Sequence, residues 1–175
     1  MNIRAIYPGT FDPVHYGHLN IMNRAAAIFD ELIVAVYDHR KPSKSLLFSV
    51  EERAEMIRAS LDGQENIEIR RFGGLTVDFA RSVGAQVIVR GLRVFSDFEF
   101  EFRMALANQR LAPEIEFVTL ITREEHTFLS GTTVREIASF GGDVSSMVPP
   151  LVAKALYERF NQDDADFQTP VSLRD

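Results

Sequence analysis

Residues 31–37 read ELIVAVY, and from Leu32 to Tyr37 the run contains no charge and no break. A strand with one wet face alternates apolar and polar side chains. A continuous apolar run of this length belongs to a strand covered on both faces, as in a parallel sheet. Residues 86–89, QVIV, read the same way, and residues 2–7, 67–72 and 115–121 supply three further strand candidates. Helical spacing fills the intervals. SVEERAEMIRASL (49–61) places Val50, Ala54, Ile57 and Leu61 on one face behind a capping box, Ser49 to Glu52. SDFEFEFRMALANQRL (96–111) opens with a second box, Ser96 to Glu99, and residues 20–29, 75–83, 133–140 and 151–160 complete the helical set. This alternation predicts one open, mostly parallel sheet with helices on both faces.

The bulk properties agree with one such domain. The chain has 175 residues, 46% of them hydrophobic, enough for a sizeable core. It has no cysteine, which excludes disulfides, thiolate zinc sites and a cysteine nucleophile. A net charge of −6 argues against broad, sequence-indifferent nucleic-acid binding. A few local cations still suit a small anionic substrate. No basic flank leads into an apolar leader and no apolar run approaches membrane-spanning length, so the expected setting is cytoplasmic, with neither membrane nor nucleic acid as partner. The domain is expected over residues 1–160. Residues 161–175, with Asp163, Asp164 and Asp166, are expected to form an acidic, disordered tail.

In sheets of this kind ligands bind beyond the carboxyl ends of the strands, so the segments after each strand carry the chemistry. PGTFDPVHYGH (8–18) combines Thr10, a glycine that admits close backbone approach at Gly17, and the histidines His15 and His18 near a helix N-terminus that favours phosphate. A metal reading of the same stretch would use Asp12, His15 and His18, without a recognised zinc spacing. In RGLR (90–93), Arg90 and Arg93 suit polyphosphate through their forked donors; the plain alternative is surface arginines bridged to Asp97 or Glu99. Lys44 either neutralises a phosphate or is simply solvated. Ser130, Gly131, Thr132 and Thr133 either bind phosphate at a helix start or only cap it. No GxxxxGK[ST], GxGxxG or GxSxG occurs, which leaves a nucleotide site of HxGH type without a nucleophile of its own.

HYGH (15–18) resembles the HxGH signature of the nucleotidylyltransferases, and LSGTTVRE (129–136) resembles their second signature, usually written ISSTxxRE. AIYPGTFDPVHYGH, PSKSLLFSVEER and VIVRGLRVFSDFEFEFRMALANQRL follow, in order and interval, the pattern of the phosphopantetheine adenylyltransferases, bacterial enzymes of coenzyme A synthesis. The similarity spans about Ile3 to Phe160. It implies a single-domain, Rossmann-like, α/β fold with an open parallel five-stranded sheet, and the reaction of ATP with 4′-phosphopantetheine to give dephospho-CoA and pyrophosphate by direct in-line displacement. Mg²⁺ carried on the ATP phosphates and a homohexamer are implied with it. By position in the motifs, His18, Thr10, Lys44 and Arg93 are expected to be catalytic. Thr10, Lys44, Thr76, Arg90, Ala107 and Asn108 are expected to bind phosphopantetheine. Thr10, Phe11, His18, Gly91, Leu92, Arg93 and Glu101 are expected on ATP, joined by His126, Thr127, Phe128, Leu129, Ser130, Gly131 and Thr132; no protein metal ligand is expected. Four positions depart from the family pattern: Phe100 for Tyr, His126 for Trp or Tyr, Ala107 for Met, and Gly131 for the second Ser of ISST. Rival readings are another HxGH transferase, such as a nicotinamide mononucleotide adenylyltransferase or a cytidylyltransferase, and a nucleotide-binding module without turnover.

Overall fold

The computed structural model describes residues 2–39, 46–61 and 63–167. Among them, strands β1 (Arg4–Gly9), β2 (Glu31–Tyr37), β3 (Ile67–Phe72), β4 (Val87–Leu92) and β5 (Glu116–Ile121) form one parallel sheet in the order β3-β2-β1-β4-β5. The helices are α1 (Tyr16–Ala26), α2 (Val50–Ser60), α3 (Thr76–Ser82), α4 (Phe95–Leu111), α5 (Gly131–Ser139) and α6 (Pro150–Phe167), with a 3₁₀ turn at Glu124–His126. The expected five-stranded α/β architecture is the one that forms. Lys44 lies outside the described residues, as do residues 168–175 of the expected tail. Helix α6 itself continues past position 160, to Phe167.

Alternate residues of the central strands go to opposite faces, which explains their unbroken apolar runs. Ala5, Tyr7, Leu32, Val34, Val36, Val87 and Val89 join the core under α1, α2, α5 and α6. Ile6, Ile33 and Ile88 face the other way, onto Val77, Ala80 and Val83 around α3. At about 25 cal/mol per Å² of apolar surface removed from water, these two cores supply the main driving force for folding.

Two helix starts differ from expectation for identifiable reasons. Helix α1 begins at Tyr16 rather than at residue 20, because His15 serves as its N-cap. Helix α4 begins at Phe95 with Val94 as N-cap and no side-chain cap, so Ser96 stands inside the helix rather than at the expected N-cap position. Glu99 instead pairs with Arg103, one turn on. The Ser49–Glu52 box of α2 forms as expected, Glu52 N–H donating to Ser49 Oγ at 3.2 Å and Ser49 N–H to Glu52 Oε2 at 2.7 Å.

Candidate active site

Strand β1 stays paired with β2 as far as Gly9↔Val36, but with β4 only to Ile6↔Ile88. The backbone polar groups of Pro8 face β4, and proline has no N–H to continue that ladder. The strands part, and the Arg90 side chain crosses the gap, Nη1 donating to Pro8 O at 2.9 Å. This is where the strand order reverses, the place at which such sheets bind ligands. A cleft of about 440 Å³ opens there, walled by residues 7–12 at the end of β1 and just beyond it, the start of α1, the end of β4, the first turns of α4 and the start of α5.

His15 and His18 form a reciprocal cap. His18 N–H donates to His15 Nδ1 and His15 N–H to His18 Nδ1, each at 3.3 Å, and the rings stack with centroids 3.5 Å apart. Phe11 meets the ring of His18 edge-on at 5.0 Å. Because each Nδ1 accepts a backbone N–H, the proton of each neutral ring sits on Nε2. Burial, then the charge of neighbouring groups, pushes the His18 pKa well below its ordinary value. Burial, then Arg93, lowers that of His15 to about 3. Both rings are therefore neutral hydrogen-bond donors near pH 7. These contacts remove the metal reading: both Nδ1 atoms are occupied, and the Asp12 carboxylate accepts from backbone amides, as described below. The Gly17 backbone is also tied to this pair, since a Cβ there would sit 3.0 Å from His15 Nδ1.

A consequence for stability follows from the two neutral rings. Below pH 6.5 an unfolded histidine takes up a proton that the folded site refuses until about pH 3 for His15. The unfolded state binds more protons in that window, so stability is highest above it and falls with pH by about 1.4 kcal/mol per unit per histidine. Urea midpoints measured at pH 7 and at pH 5 should separate more for the native sequence than for His15→Gln.

Both arginines of RGLR reach the cleft, and both are held by carboxylates of α4. Arg90 makes a forked pair with Glu101, Nη2–Oε1 2.6 Å and Nε–Oε2 2.8 Å. Arg93 donates through Nε to Asp97 Oδ2 at 3.1 Å and through Nη1 to Leu129 O at 2.6 Å. The two sequence readings thus combine: the arginines are bridged, to Asp97 and to Glu101 rather than Glu99, and they also line the cleft. Each guanidinium has five N–H donors, so each keeps donors for an anion. Tyr7, beneath them, is pushed up to about 12 by burial, with Arg90 opposing, and stays a neutral phenol.

The Asp12 side chain is almost fully buried. Its Oδ2 accepts from Leu47 N–H at 2.8 Å and its Oδ1 from Phe48 N–H at 3.0 Å. Arg135, one turn into α5, donates to both its carboxylate and its carbonyl oxygen. The start of α5 is drawn so close that a Cβ on Gly131 would lie 2.8 Å from Asp12 O. Glycine is therefore required by contact with the first loop. Gly131→Ser, which restores the family's usual residue, should destabilise the chain by about 1–3 kcal/mol, read as a lower urea midpoint.

Of the expected site residues, Thr10, Phe11, His18, Arg90, Gly91, Arg93, Glu101, Ser130, Gly131 and Thr132 line the cleft. Ser130 is also the N-cap of α5, Oγ accepting from Thr133 N–H at 3.1 Å. Thr76 opens α3, Ala107 and Asn108 lie on α4, and Leu92 ends β4; none of the four belongs to the lining. His126, Thr127 and Phe128 stand at the 3₁₀ turn, outside the lining, while the Leu129 side chain is fully buried and offers only its carbonyl. Sequence reasoning missed Tyr7, Asp97 and Arg135 as cleft residues. Only Arg135 carried a signal, as the arginine of the second signature.

Residues 6–137 match the family model described as cytidylyltransferase-like. A phosphopantetheine adenylyltransferase of Heliobacterium modesticaldum is 51% identical over 89% of this chain and 92% of its own length. One from Roseiflexus sp. is 51% identical over 90% and 98%. Among solved structures, a Plasmodium falciparum nicotinic acid mononucleotide adenylyltransferase complexed with NaAD superposes with a TM-score of 0.68 over 94% of this chain and 98% of that one, at 15% identity, a likeness of fold.

Proposed function

This chain belongs to the phosphopantetheine adenylyltransferases, which transfer the adenylyl group of ATP to 4′-phosphopantetheine, and we propose that it does so by a single in-line displacement in the cleft. The products are dephospho-CoA and pyrophosphate, the penultimate stage of coenzyme A synthesis. The observation that carries the mechanism is the convergence, where β1 and β4 part, of a neutral imidazole donor, two arginines and two helix N-termini. Such a site binds and orients phosphates without supplying a nucleophile. The phosphate of phosphopantetheine attacks the α-phosphorus; the bond to pyrophosphate breaks on the opposite side. His18 donates its Nε2–H to the α-phosphoryl oxygens as their charge grows.

Thr10, Arg90 and Lys44 hold the attacking phosphate, with Thr76, Ala107 and Asn108 along the pantetheine arm. Phe11, Gly91, Leu92, Arg93 and Glu101, with residues 126–132, take ATP. Among the described residues no cluster of three or more His, Asp or Glu could hold a metal ion. Magnesium enters with the substrate, as MgATP. No described helix is long and apolar enough to cross a membrane, and the proposed setting is the cytoplasm.

A homohexamer is proposed as the working assembly. Phe98, Phe102 and Leu106 form one row of α4 and Phe100, Met104 and Leu111 another, and all six are 42–61% exposed, more apolar surface on one helix than scattered single residues account for. These six side chains are not packed into the core of the single chain. Sedimentation should give six chains; a monomer would remove the assembly.

Pyrophosphate release with MgATP tests the function, with 4′-phosphopantetheine or nicotinamide mononucleotide as acceptor. Release only with phosphopantetheine, yielding a product of dephospho-CoA mass, is expected. Release only with the mononucleotide overturns the acceptor, and silence with both leaves a nucleotide-binding module without turnover.

A further inference from the structure

Among the described residues Arg53 is the largest fully buried side chain, 1% exposed, near the start of α2. A buried guanidinium is ordinarily paired with a carboxylate, because removing it from water is costly. Among the described residues Arg53 has no such ion pair within 4.0 Å. Its donors go to carbonyl oxygens. Nη1 bonds Thr10 O at 2.5 Å and Tyr37 O at 3.1 Å, and Nε bonds Phe48 O at 3.2 Å. One nitrogen thus ties the turn after β1 to the end of β2.

The bond to Thr10 sets a direction. In a trans peptide the carbonyl and the following N–H point opposite ways, and the Thr10–Phe11 bond is trans. With Thr10 O drawn inward to Arg53, the N–H of Phe11 is turned away from Arg53. Phe11 accepts a left-handed φ of 52° in this arrangement, a conformation that a bulky residue rarely adopts. An apolar residue at position 53 would fill the space but would leave the peptide free to rotate.

We propose that Arg53 is a positioning residue for adenylyl transfer, acting through the Thr10–Phe11 peptide that it holds at the mouth of the cleft. The inference rests on the reading of Thr10 as a phosphate-holding residue. Lysine cannot replace the fork, since its single nitrogen does not span Thr10, Tyr37 and Phe48 with the same geometry.

A double-mutant cycle on the full chain tests it, with Arg53→Lys, Thr10→Ala and the pair. Rates are corrected for the folded fraction from thermal melts, and Arg53→Gln, which keeps one N–H donor without charge, is assayed in parallel. Arg53→Lys and Arg53→Gln should each lower kcat/KM for phosphopantetheine roughly 10- to 100-fold. In the Thr10→Ala background the same change should lower it by no more than about threefold, since the phosphate-holding hydroxyl that the held peptide positions has gone. Independent, multiplying effects would make Arg53 merely structural and overturn the proposal. So would both Arg53 variants staying within threefold of the parent chain. If Thr10→Ala alone leaves kcat/KM unchanged, the reading of Thr10 has failed, and the single variant locates the failure there.

Discussion

His18→Ala should lower kcat by about 10³-fold, or about 4 kcal/mol, while the Kd for MgATP stays within a few-fold of the parent chain. The asymmetry follows from what the ring does. His18 is held neutral by burial, with its Nδ1 committed to a backbone amide, so what it has to offer in the proposed role is one fixed Nε2–H donor. A donor aimed at charge that grows only in the transition state accelerates the reaction without adding much to ground-state binding. Binding of ATP would still rest on Arg93, the helix N-termini and the backbone around Gly91. Single-turnover rates measure the chemical step and titration calorimetry the binding. The neutral donor also predicts no loss of kcat attributable to His18 between pH 6.5 and 8.5, where an imidazolium would titrate away. Near-parental turnover in His18→Ala would remove the role.

Asp12→Ala carries the largest expected loss of stability, about 3–5 kcal/mol. The carboxylate accepts from Leu47 and Phe48 amides and from Arg135. Its removal leaves two backbone donors without their acceptor and the Arg135 guanidinium with only the Asp12 carbonyl there, and orphaned buried groups cost more than the bonds gained when they formed. Asp12→Asn keeps an acceptor oxygen and should lose about half as much. Urea unfolding measures both. An alanine variant within about 1 kcal/mol of the parent would mean that water replaces the carboxylate at that junction.

The strands were legible because each central one is buried on both faces. ELIVAVY needs no partner information to be recognised. The loops were legible because glycine, histidine, arginine and hydroxyl residues gather after the strands, where a doubly wound sheet places its ligands. What escaped was what depends on distant partners. Asp12 entered the sequence reading only as a candidate metal ligand, yet its carboxylate accepts from amides at 47 and 48 and from Arg135. Arg53, three residues after Val50, borders the apolar stripe of α2 in the sequence, but only the folded chain brings three carbonyls around it. The cap of α1 escaped because histidine is an unusual N-cap, and its geometry depends on the second histidine one turn on. Gly131 looked like a lost hydroxyl; contact with Asp12 O makes it a steric requirement.

The strand order has a consequence for how the chain is made. β1 precedes the other four strands of this sheet in the chain and lies at its centre, and its second neighbour, β4, pairs Val87 with Ala5. At about 5–20 residues per second, the ribosome needs roughly 4–16 s to deliver that partner after β1 has emerged. During that interval one edge of a strand that is apolar from Ala5 to Pro8 stands bare, the arrangement that invites pairing with another nascent chain. Completion of the sheet by contacts so distant in sequence also places the molecule among slow-folding topologies. The crevice at the β1–β4 boundary is therefore bounded by the last central pairing that synthesis makes possible.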